Sequence, residues 1–175
     1  MLVFICGVPN LDIRRIEASE LDLIEPLWNA LRKHHSSVTP DLGAPRSRRE
    51  SWLRRRRQYE AWLAEPEAFI LLAERQGASV GYAMVCVREG SPTWPMSERA
   101  GELETLSVLP EERGSGTGTA LLEAVRKELG ARGVTEVSLH AITTNSDAIR
   151  FYERHGFSTH ALWMRAGGNG SPHGS

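Results

Sequence analysis

The sequence predicts a mixed α/β (α+β) fold: a single domain with one twisted sheet of about six strands flanked by about four helices. Three observations predict it. Apolar runs of strand length alternate with amphipathic stretches of helical period, in the order β-α-α-β-β-β-α-β-α-β. The middle strands follow one another closely enough for hairpins, whereas the later ones are separated by helices, as a parallel crossover requires. The 175 residues suffice for one full core, without disulfides or metals to hold it.

Leu11–Ile16 alternates apolar and charged residues and reads as the first strand. Ser19 offers a helix N-cap, with Asp22 three positions on in a capping-box arrangement. Leu23, Leu27 and Leu31 follow at helical spacing, and Pro26 kinks or divides that helix. His34–Pro45, with two prolines and a glycine, reads as a loop. Ser47–Leu63 is a second helix; Trp52, Tyr59 and Trp62 mark its apolar stripe, and arginines fill much of the remainder as a solvated face. Phe69–Glu74 and Val80–Val87 form a hairpin around Gln76-Gly77-Ala78-Ser79. Leu103–Val108 is a further strand ended by Pro110, and Thr119–Leu129 is an amphipathic helix stopped by Gly130 and Gly133. Val134–Ile142 reads as strand, Asn145–His155 as helix and Ser158–Met164 as a last strand. Residues 1–10 form an N-terminal extension, residues 11–165 the domain, and 166–175 a Gly/Ser-rich flexible tail.

Charge and cysteine usage narrow the function classes. Lys+Arg is 21 against Asp+Glu 22, so the net charge of −1 gives no global reason to bind nucleic acid or a membrane surface. The arginine-rich helix alone is a weak nucleic-acid signal. Cys6 and Cys86 form no CxxC pair, which fits a reducing cytoplasm. The apolar runs fall far short of the ~20 residues of a membrane span, and the N-terminus carries no basic region of a secretory signal. Histidine spacing matches no metal motif, so no metal is expected.

The most informative stretch is Leu106-Ser-Val-Leu-Pro-Glu-Glu-Arg-Gly-Ser-Gly-Thr-Gly-Thr119, where a strand leaves through Pro110 and alternating glycines lead into a helix. Backbone amides at such a start, with the helix dipole, favour a phosphate or pyrophosphate. No Lys follows as a P-loop requires, and Thr119 stands where a dinucleotide fingerprint needs its third glycine.

Arg113-x-x-Gly116-x-Gly118 resembles the acyl-CoA signature of the GNAT superfamily of N-acetyltransferases, and Asn145-x-x-Ala148-x-x-Phe151-Tyr152-Glu153-x-x-Gly156-Phe157 resembles the next motif of that family. The resemblance covers about 11–165 and implies a single-domain GNAT fold, an N-acetyltransferase domain over those residues. It implies acetyl-CoA as cosubstrate, with its pantetheine paired to backbone groups of Leu106, Ser107 and Val108. The pyrophosphate would be cradled by Arg113, Gly114, Ser115, Gly116, Thr117, Gly118 and Thr119. Asn145 matches a residue beside the pantetheine arm and also suits an N-cap. Tyr152 matches a tyrosine near the CoA sulfur, a phenol able to protonate a departing thiolate.

Acetyl transfer to an amine also needs a base, because an amine is mostly protonated near pH 7. Glu102 and Glu104 lie on the strand of Leu106 and Val108, and period-2 geometry puts residues 102, 104, 106 and 108 on one face. The resemblance implies direct attack by the amine, with one of these carboxylates as base and the Val108 amide as oxyanion donor. An acyl-CoA-binding regulator without catalysis is the alternative. The acceptor cleft implied by the fold runs along Trp28–Pro45 and Gly90–Arg99, including His34, His35, Trp94 and Met96. The strand carboxylates favour a cationic amine, such as a polyamine, aminoglycoside or peptide N-terminus. Many family members finish on two strands, and only Ser158–Met164 is available here, so the sheet edge is either short or covered in a homodimer.

Overall fold

The computed structural model describes residues 10–93, 97–162 and 164. Residues 1–9, Trp94, Met96 and the tail 166–175 lie outside them. The elements run β1 (Leu11–Ile16), α1 (Glu25–Val38), α2 (Arg48–Leu63), β2 (Phe69–Arg75), β3 (Ala78–Glu89), β4 (Arg99–Val108), α3 (Thr117–Gly130), β5 (Glu136–Leu139) and α4 (Ser146–Arg154), with short 3₁₀ turns at Ala18–Ile24, Pro40–Leu42 and Pro110–Glu112. The five strands form one sheet in the order β1-β2-β3-β4-β5. The first four pair antiparallel, and β5 joins β4 in parallel after the α3 crossover.

The apolar runs of β2 and β3 do not alternate because both faces of the sheet are covered. Phe69, Leu71, Ala73, Ala83 and Val85 pack with Leu121, Leu122, Val125 and Leu129 of α3. Ile70, Leu72, Tyr82, Met84 and Cys86 pack on the other face with Leu21, Ile24, Leu27, Trp28, Trp52 and Tyr59 from the N-terminal helices. Across that second core the hydroxyl of Tyr59 meets those of Tyr82 at 2.8 Å and Thr105 at 3.1 Å. Both tyrosines are fully buried, so Tyr59 is the shared node of a closed polar network. Tyr59→Phe removes the hydroxyl that joins both Tyr82 and Thr105 and is expected to destabilise by about 2 kcal/mol, more than Tyr82→Phe, which leaves Tyr59 its Thr105 partner. Urea denaturation midpoints of the two variants measure the difference.

Several boundaries differ from the sequence reading. The 3₁₀ turn before α1 is capped by Glu17, whose box partner is Glu20, rather than by Ser19. Pro26 does divide the helical stretch, since it occupies the first turn of α1, where a missing N–H is harmless. α1 continues through Val38, so the loop begins later than His34. Val134 lies before β5 and is buried by a turn in which its N–H reaches the Leu129 carbonyl at 3.0 Å. Ser158–Leu162 is not strand, and among the described residues the sheet has five strands rather than six. Leu162 and Met164 are 67% and 81% exposed, so no face of that segment is packed to reward sheet pairing.

Three of the six arginines of α2 are engaged by acids: Arg54 with Glu50 at 3.2 Å, Arg48 with Glu25 at 3.4 Å, and Arg56 with both Glu60 and Asp22. Ser47 caps the helix by accepting the Glu50 N–H at 3.2 Å. Among the described residues no helix is long and apolar enough to cross a membrane, and no cluster of His, Cys, Asp or Glu has the makings of a metal site.

Candidate active site

The sheet opens where β4 outruns β5. Their pairing covers Ala100–Leu103 against Glu136–Leu139, and β4 continues to Val108 paired with β3 but without β5. The Leu109 N–H bonds the Val80 carbonyl at 2.9 Å. Because antiparallel partners alternate between bonded and unbonded pairs, Ser107 turns its backbone groups to Tyr82, and Leu106 and Val108 turn theirs into the opening. Ser107 departs from its two neighbours in its side chain also, since its buried hydroxyl donates to the Leu27 carbonyl at 3.1 Å. It anchors α1 to the strand instead of facing the opening.

A β-bulge corrects the shared face expected for residues 102, 104, 106 and 108. The β3–β4 register shifts between Met84↔Thr105 and Val85↔Leu103, which leaves Glu104 as the extra residue. Glu102, Glu104, Thr105 and Ser107 therefore share the side of the N-terminal helices, whereas Leu106 and Val108 pack on the α3 side. The bulge aims Glu104 into a cleft of about 330 Å³ between α1, α2 and the 39–45 segment. Burial and, secondarily, the Glu102 carboxylate push the Glu104 carboxyl above its ordinary pKa, opposed by Arg88, whose guanidinium lies 3.5 Å away. Glu102 does not line this cleft; it sits 3.6 Å from Arg88 and 3.4 Å from the His140 ring.

At the end of β4 the Pro110–Glu112 turn leads into Arg113–Thr119. Gly114 and Gly116 hold φ of +78° and +87°, a backbone that L side chains rarely adopt. Gly116 begins α3 with no side chain capping it, so the first amides of a 14-residue helix remain available to an anion. A Cβ on Gly118 would touch the Phe151 ring at 3.5 Å, so the helix start seats directly on α4. Glu112, the acid closest in sequence to this loop, is neutralised by Arg75 at 3.1 Å. Ser115 and Thr117 join hydroxyls at 2.9 Å beside them. Arg113 is exposed at the rim. These residues fit a pyrophosphate: the amides are uncapped, the glycines leave room for close approach, and the nearby carboxylate already has a partner.

α4 carries the remaining candidates. Asn145 caps it, accepting the Ala148 N–H at 3.4 Å, and also meets His34 of α1 at 3.4 Å. Tyr152 packs edge-on to Phe151 and Phe157 with ring centroids 5.3 and 5.6 Å apart. Burial raises its phenol to about 12. His155 locks this helix to the glycine loop. Its Nδ1 lies 2.7 Å from the Phe151 carbonyl and its Nε2 3.1 Å from the Thr119 hydroxyl; with Nδ1 donating to the carbonyl, Thr119 donates to Nε2. Of the residues expected at the acceptor cleft, Trp28 and His35 line it, and His34 turns to Asn145 instead. The motifs did not single out Arg32, Arg55 and Thr105, which also line it.

The fold built this way is similar to that of N-acetyltransferases of known structure. Aminoglycoside N-acetyltransferase AAC(6')-Iy, solved with CoA, is similar with a TM-score of 0.67 and 20% identity, over 93% of this chain and 99% of that one. A GCN5-related N-acetyltransferase from Ralstonia eutropha gives 0.68 and 22%, over 91% and 99%; at such identities the likeness is one of fold. Residues 28–157 match the acetyltransferase (GNAT) family, and the chain belongs to that family. Mycothiol acetyltransferase of Thermobispora bispora is 35% identical over 150 residues, 82% of this chain and 46% of that protein. That of Acidothermus cellulolyticus is 37% identical over 154 residues, 80% of this chain and 44% of that protein. The chain thus spans somewhat less than half the length of these relatives.

Proposed function

We propose that this chain transfers the acetyl group of acetyl-CoA to a primary amine by direct attack. The observation that carries the reading is the convergence at β4. Its open backbone edge, the uncapped start of α3 and the carboxylate of Glu104 all lie at the end where the strand leaves the sheet. Acetyl-CoA supplies a thioester already activated toward an amine. Arg113 and the amides of Gly114, Gly116, Thr117, Gly118 and Thr119 hold its pyrophosphate, while Ser115, whose N–H goes to the Glu112 carbonyl at 3.4 Å, shapes the loop between them. The backbone groups of Leu106 and Val108 align its pantetheine arm, and Asn145 fixes the helix start beside that arm. Glu104 takes the proton of the incoming ammonium, with Glu102 and Arg88 setting its charge environment. The Val108 N–H, directed away from β3, is placed to donate to the developing oxyanion. Tyr152 returns a proton to the departing sulfur.

The free thiol of Cys86, buried in the core, supports a reducing compartment such as the cytoplasm. The exposed Leu162 and Met164 together with the outer edge of β5 are the surface that a homodimer would cover, and gel filtration decides its occurrence. Release of free thiol from acetyl-CoA, followed across a panel of amines, tests the activity. Amine-dependent release is expected. Tight acetyl-CoA binding without release for any amine would overturn catalysis in favour of an acyl-CoA-binding regulator.

A further inference from the structure

The cleft in front of Glu104 holds more positive than negative charge. Arg32 of α1 and Arg55 of α2 line it together with His35, and among the described residues Glu104 is the one carboxylate in its wall. Neither arginine forms an ion pair among the described residues; Arg46, Arg48, Arg54 and Arg56 nearby do, and of the helix arginines without one, Arg49, Arg55 and Arg57, Arg55 is the one that lines this cleft. Glu104 is itself shared with Arg88 at 3.5 Å. His35 does not add a compensating negative group, and burial, reinforced by His34 and Arg55, keeps its ring toward the neutral form.

Both guanidiniums are held in place without using up their donors. Arg55 lies over the rings of Tyr59 at 5.5 Å and Trp62 at 5.9 Å. Stacking of this kind fixes the plane of the fork and leaves its N–H groups free to bind. Arg32 gives one N–H to the Arg46 carbonyl at 3.2 Å, and its Nε is buried with no hydrogen-bond partner. Buried donors in native proteins are nearly always paired, so an unpaired one calls for a partner. Two preset guanidiniums in a small cleft are a receptor for a planar anion.

We propose that the acceptor is a small amine that also carries a carboxylate, held by Arg32 and Arg55 so that its amino group faces Glu104. This deepens the acetyltransferase reading and rests on it. It also replaces the cationic acceptor that the strand carboxylates alone suggest. A polyamine would bring further positive charge against two unpaired guanidiniums, with only a half-neutralised Glu104 to offset them. Size points the same way, because about 330 Å³ lies at the lower end of small-molecule sites, suiting a molecule of amino-acid size. In the reaction the nitrogen–carbon bond forms as the carbon–sulfur bond breaks. One ammonium proton passes to Glu104, Tyr152 gives its proton to the sulfur, the second nitrogen proton released as the amide forms restores the Tyr152 phenol, and the substrate carboxylate is unchanged.

The test compares each L-amino acid with its C-terminal amide as acceptor, alongside 1,4-diaminobutane and phosphoethanolamine, by thiol release from acetyl-CoA. Acetyl-CoA binding is measured in parallel by calorimetry. At least one amino acid is expected to exceed its amide in kcat/KM by about ten- to a hundredfold, the range of a charged hydrogen-bonded contact. Arg55→Gln and Arg32→Gln should each reduce that ratio mainly through KM, and Arg55→Lys, which keeps the charge but not the fork, should recover part of it. Preference for amides or the diamine would overturn the proposal while leaving acetyltransfer standing, as would a ratio unmoved in both glutamine variants. Preference for phosphoethanolamine would replace the carboxylate by a phosphate and overturn it too. Acetyl-CoA binding with no acceptor at all would overturn both catalysis and this substrate class, and failure to bind acetyl-CoA would overturn the functional reading beneath them.

Discussion

Tyr152→Phe is expected to lower kcat by about a hundredfold, within the usual contribution of a general acid, while acetyl-CoA still binds. The ring keeps its edge-on packing against Phe151 and Phe157, so stability should not change. Burial holds the phenol at about 12, protonated throughout the working range, as an acid must be. A free thiol in water is a stronger acid than that, and it would not take the proton readily. The same burial acts on sulfur, however: the Cys86 thiol inside this protein is pushed up to about 12, largely by desolvation. A thiolate released beside the rings of Phe151 and Phe157 would be desolvated as well, which would raise its basicity toward that of the phenol. The variant should therefore show its deficit across the whole accessible pH range, with no basic limb assignable to the tyrosine. Undiminished kcat at all pH values would remove Tyr152 from the reaction.

Glu104→Gln is expected to cost about two to three orders of magnitude in kcat/KM. Its carboxyl is raised chiefly by burial, and the base works only when ionised. Wild-type activity should thus rise with pH through a value above the ordinary carboxylate range and fall below it, and the variant should lose that acidic limb. Glu102→Gln provides the contrast. Removing that carboxylate relieves the repulsion that helps raise Glu104, so the acidic limb should move to lower pH with the limb itself retained. A pH–rate profile of the three proteins checks both. The reverse pattern, with the limb lost in Glu102→Gln and kept in Glu104→Gln, would exchange the roles.

Much of the fold was legible because its signals are local. The alternation of Leu11–Ile16, the stripe Leu121, Leu122, Val125 and Leu129, and the three glycines before it each depend on a few neighbouring residues. The bulge at Glu104 left no such trace, because it is decided by how β4 matches β3 across the sheet. A strict two-residue period therefore misplaced Leu106 and Val108. Ser158–Met164 has the apolar content of a strand, but its described residues 158–162 and 164 are exposed and meet no packed surface, and pairing depends on that surface. Arg55 had a readable signal that its arginine neighbours obscured. It stands three residues after Trp52, four before Tyr59 and seven before Trp62, so it lies within the apolar stripe of α2 and not on the solvated side.

The two cores share a sheet but few side chains. The glycine loop, α3 and α4 draw on one face, and the acceptor cleft is built from helices on the other. Substitutions at well-separated sites without common partners tend to act additively. On the function proposed above, descendants of such a chain can exchange Arg32, Arg55 or the 39–45 segment, which line the cleft, and so change the acceptor without disturbing the glycine loop. Selection for a new acceptor would act on one layer of the protein while the other is inherited nearly intact.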